Sequence, residues 1–160
     1  MRKKDREITN KDEIKEIFEK ADACRIGFAV DNIPYIICLN YGYEWLNENP
    51  ALYFHCANEG KKLDQIRQNN LVCLQLDIEH EYYCNEEINY CTGYYSSIIG
   101  WGHLEIVTNE QERKHGLDLL MIHHGHQAPE NYPEESLART TILRLGITEL
   151  TAKRNKKKEM

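Results

Sequence analysis

The sequence predicts an α+β protein, an antiparallel six-stranded β-barrel with helices packed on its outside. Apolar and polar residues alternate in several short segments, as is typical of half-buried strands, and these segments outnumber the helical ones. The predicted strands form near-adjacent hairpins instead of alternating one for one with helices, which argues against a doubly wound parallel sheet. Gly100 and Gly102 interrupt one strand, as a small sheet requires where it bends into a barrel.

The individual elements follow from apolar spacing and from the residues that cap or break them. Asn10 or Thr9 can cap the first helix, and Asn58 can cap the second. Asp31 and Asn32 provide the turn of the first hairpin. In chain order the predicted elements are a helix over 11–22, strands over 24–30, 35–43 and 51–56, a helix over 60–70, strands over 71–78 and 96–107, a helix over 109–124 and a strand over 140–152.

Two segments lack a regular apolar pattern. Residues 79–92 are polar and rich in tyrosine, and we expect a long loop or an extended edge there. Residues 125–135 contain Gly125, Pro129 and Pro133 and are expected to form a second loop. The tyrosines could stack on a ligand or a nucleic acid, but a barrel rim or a dimer interface suits them better.

The composition describes one globular domain with an acidic balance. We assign the domain to residues 1–152 and a basic tail to 153–160. Hydrophobic residues make up 41% and charged residues 29%, which argues against disorder. The formal net charge of −6 argues against nucleic acid as a partner, so we interpret the basic ends as solvated, the alternative being an anionic partner. The basic residues of the two ends are Arg2, Lys3, Lys4, Arg6, Lys153, Arg154, Lys156, Lys157 and Lys158.

Cysteine usage and the N-terminus together predict a cytoplasmic protein. None of the six cysteines forms a Cys-x-x-Cys pair, so neither a zinc ribbon nor a thioredoxin-like motif is indicated. Several cysteines lie in predicted strands, where we expect buried, reduced thiols. The N-terminus is charged and lacks an apolar signal region, and no apolar run is long enough to span a bilayer. We therefore expect no contact with membranes.

Gly60, Lys61 and Lys62 stand where a predicted strand gives way to a helix. A helix N-terminus presents free backbone N–H groups and the positive end of its dipole, so two lysines there are locally unfavourable. A bound phosphate would relieve that conflict, because it accepts N–H hydrogen bonds and pairs with ammonium groups. Residues 58–62 therefore form a candidate phosphate site. The alternative is an exposed first turn with ordinary surface lysines.

The histidines near the end of the last predicted helix do not form an obvious metal site. His123 and His124 are adjacent, so their side chains diverge on a helix. His115 and His123 are eight residues apart, a spacing that also suits one ion poorly. We expect no metal and attribute these residues and His126 to a polar helix end, where imidazoles interact well with the dipole.

The order and spacing of several segments resemble the pyridoxamine phosphate oxidase superfamily, in particular its nitroimidazole-resistance (Nim) branch. The segments are PYIICLNYGYE, ALYFHCANEGKKLDQIRQNNLVCLQLD, YYSSIIGWGHLEIV and the closing TTILRLGITELTAKR. Together with the leading helix and hairpin, they extend the resemblance over nearly the whole chain. The resemblance implies an FMN-binding split barrel that forms a homodimer, with each flavin in a groove between two subunits.

The resemblance also implies which residues contact the flavin. Lys61 and Lys62 correspond to the phosphate anchors, and His55 corresponds to an active-site histidine close to the flavin ring. The strand from Tyr35 to Asn40 would run beside the ring. The positions carried over are Tyr35, Asn40, His55, Cys56, Lys61, Lys62 and Ser97.

The activity that the resemblance implies is flavin-dependent reduction of a small acceptor, such as a nitroaromatic compound, by NAD(P)H. Two alternatives stay open: a pyridoxamine phosphate oxidase-like oxidase, and a flavin-binding or sensing module without turnover. The chain departs from the oxidases, because Tyr35 and Asn40 occupy a strand where those enzymes carry basic side chains. It departs from the Nim branch at Ser96, where an arginine is usual.

Overall fold

A computed structural model of the protein describes residues 3–46 and 48–156. A short 3-10 helix, Lys4–Arg6, precedes the regular elements. In chain order these are β1 (Glu7–Ile8), α1 (Lys11–Lys20), β2 (Ala23–Val30), β3 (Ile33–Asn40), β4 (Gly42–Leu46), β5 (Asn49–Ala57), α2 (Lys61–Gln68), β6 (Leu71–Asn85), β7 (Tyr90–Val107), α3 (Glu110–His123), α4 (Glu134–Ala138) and β8 (Thr140–Asn155).

All strands belong to one antiparallel sheet in the order β3-β2-β6-β7-β8-β5-β4, with β1 paired to β8. The expected architecture is confirmed, but the sheet has eight strands instead of six. β3 and β4 form its two edges, yet only Tyr41 separates them along the chain. The sheet must therefore curl until its edges meet at Tyr41, which makes it a barrel.

The barrel is incomplete beside this meeting point. β4 pairs with β5 from Leu46–Asn49 to Gly42–Tyr53, and β5 then continues over residues 54–57. Within the described residues, β3 pairs only with β2. Among the described residues, one edge of β3 and, over residues 54–57, the edge of β5 that faces away from β8 therefore have no partner strand, and the gap between these two edges is the split of the barrel.

Alternate residues of each strand form the core inside the curled sheet. The pattern follows from the two-residue period of a β-strand, which sends every second side chain inward. α1 closes one end of this core with Ile17 and Phe18, which are fully buried. The largest buried strand residues include Ile26, Leu52, Phe54, Leu74, Leu76, Ile98, Leu104 and Ile142.

The corner formed by Tyr41 and Gly42 fixes where the two sheet edges meet. The Tyr41 side chain is fully buried, and its hydroxyl donates a hydrogen bond to the Phe18 carbonyl at 2.7 Å. The backbone of α3 lies so close to Gly42 that a Cβ added there would collide with the main chain of Leu119 and Leu120. Only glycine allows this approach.

Several boundaries differ from those predicted. β4 was not expected, and the strand predicted over 35–43 ends at Asn40. Of the two forms expected for residues 79–92, the extended one is found: β6 and β7 continue through the segment as a long hairpin. Near its turn Cys84 and Cys91 face each other and form a disulfide, so the expectation of reduced thiols is wrong for this pair.

The chain end also differs from the prediction of a tail from residue 153. β8 runs to Asn155, and the Arg154 side chain is only 6% exposed. Arg154 donates hydrogen bonds to Ser96 Oγ and, at 2.8 Å, to a carboxylate oxygen of Glu16 on α1. Hydrogen bonds from Lys20 and Arg154 lower the pKa of Glu16 to about 2. Arg154 therefore joins α1 to Ser96 on β7 of the barrel.

The predicted basic residues Arg2, Lys157 and Lys158 lie outside the described residues. Among the helices that the structure describes, none is long and apolar enough to cross a membrane.

We predict that Gly42→Ala destabilises the protein by about 1–3 kcal/mol, because the new methyl group forces α3 away from the corner. For a chain of this size, each kcal/mol lowers the melting temperature by about 2–4 °C. Thermal unfolding followed by circular dichroism measures the shift. The matched control is Gly93→Ala, whose Cβ would meet no atom within 4 Å. Equal melting temperatures for the two variants would contradict the close approach of α3.

Candidate functional site

The split of the barrel brings most of the predicted site residues together. At one end, the Lys61 Nζ atom lies 4.4 Å from the centre of the Tyr35 ring. This contact joins the start of α2 to the edge strand β3. At the other end, Asn40 and His55 line one cavity. The start of β3 therefore lies beside the lysines of α2, and the end of β3 lies beside the cavity.

The local sequence explains why α2 begins at the split. Gly60 precedes the helix with φ of 134°, a conformation that L side chains rarely adopt. Buried Leu63 and Ile66 hold the helix against the core. No side chain caps the helix, and the prediction of Asn58 as the cap is wrong. Asn58 instead donates to the Ala138 carbonyl and accepts from the Thr141 hydroxyl.

The start of α2 carries two ammonium groups, and the one acidic residue in its first turn, Asp64, pairs with Arg67 at 3.0 Å. Lys61 and Lys62 occupy its uncapped first turn. Among the described residues, neither lysine forms a salt bridge with a carboxylate. Backbone N–H groups at a helix start attract anions together with such ammonium groups. The arrangement can bind a phosphate or another small anion.

Cys56 lies beside this charge at the end of β5. Burial raises the pKa of its thiol, and the Lys62 ammonium group only partly opposes that effect. A raised pKa keeps the sulfur protonated near neutral pH, and thiols are poor nucleophiles. We therefore interpret Cys56 as a neutral part of the wall of the site.

A cavity of about 360 Å³ lies beyond the far end of the split. Its walls come from α3, α4, the loop between them, the end of β3, β5 and the start of β8. The lining residues are Asn40, His55, Leu117, Leu120, Met121, His124, Tyr132, Ser136, Leu137 and Thr140. The volume lies at the lower end of the range typical of small-molecule sites.

His55 is the predicted catalytic residue, and the structure places it at the mouth of this cavity. It stands on β5 between buried Phe54 and Cys56 and is itself exposed. Its imidazole forms no hydrogen bond with any residue between 3 and 46 or 48 and 156. Both ring nitrogens can therefore serve a ligand, as donor or acceptor.

Ser97 is the one predicted site residue that the structure does not bring to the split. It lies on β7 opposite Asp77 and Lys153. His55 is level with Val107 at the other end of β7, because both pair with Ile142 of β8. At about 3.3 Å per residue, this separates Ser97 from His55 by roughly 30 Å along the strand. Within one chain, Ser97 and His55 cannot contact the same ligand ring.

The histidines near the end of α3 point to different surroundings. His123 Nε2 contacts the Ala21 carbonyl at 2.9 Å, and burial lowers the pKa of this imidazole. His115 contacts Glu44, and His126 is exposed. Among the described residues, no group of three potential ligands could hold a metal ion.

Sequence analysis missed the contribution of α3 to the cavity. Leu117, Leu120, Met121 and His124 recur at the spacing of one helical face, and all four line the cavity. The sequence predicts a helix over 109–124, and the regular spacing of these residues is visible there. What it could not show was that part of this face borders an open cavity instead of packed side chains.

Comparison with known proteins gives a consistent family and fold. The family model for pyridoxamine 5′-phosphate oxidase matches residues 10–154. A search of curated proteins returns no match. Among solved structures, one similar chain is a candidate 5-nitroimidazole antibiotic resistance protein from Bacteroides thetaiotaomicron. It is 26% identical with a TM-score of 0.79, and the alignment covers 92% of this chain and 86% of that one.

Two further structures share the fold at lower identity. The FAD and heme binding protein from Mycobacterium smegmatis has a TM-score of 0.79 and 14% identity, covering 95% of this chain and 74% of that one. A FAD-binding protein from Mesorhizobium loti has a TM-score of 0.66 and 21% identity, covering 94% and 98%. These similarities extend over nearly the whole chain, so they support a split barrel as the fold of all the residues that the structure describes.

Proposed function

The chain belongs to the pyridoxamine 5′-phosphate oxidase family, and on that premise we propose that it is a flavoprotein that binds FMN at the split of its barrel. The observation that carries the proposal is the uncapped first turn of α2, where Lys61 and Lys62 lack carboxylate partners. A phosphate dianion there would accept backbone N–H bonds and pair with both ammonium groups. In this proposal the phosphate of FMN binds at 58–62.

We propose FMN rather than FAD because the split offers one compact cationic site. FAD carries two phosphates and an adenosine, and the described residues around α2 show no second cationic pair beside Lys61 and Lys62. The related proteins from M. smegmatis and M. loti are named for FAD, so the choice between the two cofactors requires a direct test.

The remaining predicted residues suit the rest of the cofactor. From the phosphate site, β3 leads from Tyr35 to Asn40, toward the cavity that His55 borders. In the proposal the flavin ring lies along this strand, and Cys56 forms part of the adjoining wall. Bound FMN would supply hydride and electron transfer, which needs no protein nucleophile. His55 would donate a hydrogen bond or a proton to the acceptor at the mouth of the cavity.

We propose that the reaction is reduction of a small acceptor by NAD(P)H. Similarity to a protein named for 5-nitroimidazole resistance supports a nitroaromatic acceptor. Reduced nicotinamide donors are regenerated in the cytoplasm, so the proposal includes a cytoplasmic location. The Cys84–Cys91 disulfide near the turn of the β6–β7 hairpin is unusual for that compartment, where thiols are kept reduced, and argues against this part of the proposal.

Visible spectroscopy of the full chain loaded with FMN tests this function. We expect NAD(P)H to bleach the flavin absorbance under anaerobic conditions and nitrobenzene to restore it. Conversion of pyridoxamine phosphate with release of peroxide would instead support the oxidase. A bound flavin that no donor reduces would support the binding module. A protein that takes up no flavin would overturn the proposal altogether.

We predict that Lys61→Ala combined with Lys62→Ala weakens FMN binding by about 100-fold, because a charge-assisted hydrogen bond contributes about 1.5–3 kcal/mol. Quenching of flavin fluorescence on titration measures the affinity. Lys3→Ala with Lys4→Ala is the matched control, since it removes the same charge from an exposed pair. Riboflavin, which lacks the phosphate, should bind both double variants equally. An equal loss for FMN and riboflavin would contradict the phosphate contact.

We propose further that the protein is a homodimer. The outward face of the sheet carries Ile36, which is 69% exposed, and Trp101, which is 38% exposed. The two belong to one row that crosses four strands through Gly27 and Cys73. An exposed apolar row of this kind favours burial against another chain. Only a second copy could bring Ser97, which lies on the same strand as Trp101, to the flavin.

We predict that Trp101→Glu converts the dimer into a monomer and weakens FMN binding, because an unpaired carboxylate cannot be buried in the apolar row without a large cost. Sedimentation velocity measures the mass, and flavin titration measures the affinity. Ile122 on α3 is also an exposed apolar residue, at 60%, and Ile122→Glu should leave the dimer intact. A monomeric wild-type protein that still binds FMN would contradict the role of the second copy.

A further inference from the structure

The Lys61 ammonium group, one of the two proposed phosphate ligands, lies over the face of an aromatic ring. Its Nζ atom is 4.4 Å from the centre of the Tyr35 ring. At this distance the negative face of the ring attracts a cation. Among residues 3–46 and 48–156, Lys61 forms no salt bridge. The ring therefore holds this lysine without competition from a carboxylate.

The Tyr35 ring is itself held by the core. Tyr35 on β3 lies directly opposite Phe28 on β2 in the sheet register, and the two ring centres are 5.8 Å apart. Phe28 is 2% exposed and belongs to the buried core. Cross-strand aromatic pairs of this kind stabilise each other. The position of the Tyr35 ring is therefore set before any ligand binds.

The helix that carries Lys61 is fixed to the same strand as the ring. Leu63 and Ile66 bury one face of α2. At the C-terminal end of α2, the Asn69 side chain donates a hydrogen bond to the Ala29 carbonyl of β2 at 3.0 Å. Both the helix and the ring are thus attached to β2. A lysine side chain held between two fixed elements has less rotamer freedom to lose when it binds a ligand.

The two lysines of the first turn differ in this respect. Lys62 lies toward β5, where its ammonium group partly opposes the rise in the pKa of the Cys56 thiol. Among the described residues, no aromatic ring lies under the Lys62 ammonium group. Lys61 lies toward β3. The two ammonium groups therefore approach the split from opposite sides, and the one on the β3 side rests on a ring.

We propose that Tyr35 is a positioning residue, whose ring holds the Lys61 ammonium group on the β3 side of the split, ready to pair with a phosphate. That this phosphate belongs to FMN rests on the proposed function. A lysine has three N–H donors, so contact with a ring face leaves donors free for phosphate oxygens. β3 carries no basic residue, and through Tyr35 it still contributes to phosphate binding.

This role differs from the one that the family resemblance implies, in which Tyr35 lies beside the flavin ring. A residue that acts through Lys61 affects only ligands that carry a phosphate. A residue in contact with the flavin ring affects FMN and riboflavin alike. The two roles can therefore be separated by comparing these two ligands.

We predict that Tyr35→Leu weakens FMN binding by about three- to tenfold, the equivalent of one cation–π contact. Tyr35→Phe keeps the ring and should bind FMN as the wild type does. A trifluorinated phenylalanine at this position keeps the shape but withdraws electron density from the ring face, so its FMN affinity should fall between those of the other two variants. Riboflavin should bind all four proteins equally. Quenching of flavin fluorescence on titration measures each affinity.

A double-mutant cycle provides the decisive comparison. In a Lys61→Ala background, Tyr35→Leu should change FMN affinity by less than about twofold, because the contact is already lost. Tyr82→Leu is the matched control, since Tyr82 is 76% exposed on the β6–β7 hairpin and should change no affinity. Two results would overturn the inference: an FMN affinity unchanged in Tyr35→Leu, or an equal loss for FMN and riboflavin in that variant.

Failure of the proposed function has a different signature. Inorganic phosphate is titrated into the flavin-free full chain while NMR follows the ε-methylene signals of Lys61, which the Tyr35 ring current shifts. If the chain takes up no flavin but phosphate binds more weakly to Tyr35→Leu than to the wild type, FMN is refuted and the positioning role is supported. If flavin binds and is reduced but the cycle shows no coupling, only the inference fails. If neither flavin nor phosphate binds, both are refuted.

Discussion

The hydrogen bond from the buried Tyr41 hydroxyl to the Phe18 carbonyl fixes the corner on which the rest of the structure depends. At this point the chain leaves one edge of the sheet and enters the other, and Gly42 lets α3 pack directly against the turn. Beyond this corner, among the described residues, the end of β5 pairs with β8 on one edge and with no strand on the other. The barrel is therefore incompletely closed at this corner. The split, the start of α2 beside it and the cavity next to α3 all result from this incomplete closure.

Charge is distributed so that this acidic chain still offers a cationic site. Some cations elsewhere have carboxylate partners: Arg154 pairs with Glu16 at the end of the barrel, and Arg25 pairs with Asp77 on the sheet. Lys61 and Lys62 have no such partners among the described residues and stand at the positive end of a helix. Salt screens the interaction of these two lysines with other charges beyond about one Debye length. The negative net charge of the molecule therefore does not cancel their attraction for a nearby anion.

The elements that bury one face were predicted correctly from the sequence, because burial of one face sets a regular apolar pattern. The alternation from Val72 to Ile78 and the stripe on α3 predicted a strand and a helix correctly. For residues 79–92 a loop and an extended edge both stayed open, because the hairpin extends past the barrel, so neither face is buried and no alternation appears. The cap at Asn58 failed because a distant residue, Thr141, competes for the same side chain.

The candidate site was predictable only in part, for the same physical reason. Local sequence identified Lys61 and Lys62, since a helix start determines its own electrostatics. The position of His124 on the cavity wall depends on what lies opposite the end of α3, and the distance of Ser97 from His55 depends on the pairing of three strands, β7, β8 and β5. Such relations arise from tertiary structure and leave no local signature.

The disulfide between Cys84 and Cys91 constrains the tip of the β6–β7 hairpin and not the barrel. It closes a ring of only a few residues, and such small rings remove little disorder from the unfolded chain. Its contribution is thus confined to the arm that it crosses. Among the described residues, the arm pairs as a strand only with itself up to Tyr94, so a change in its length or in its tyrosines would leave the strand pairs of the barrel intact.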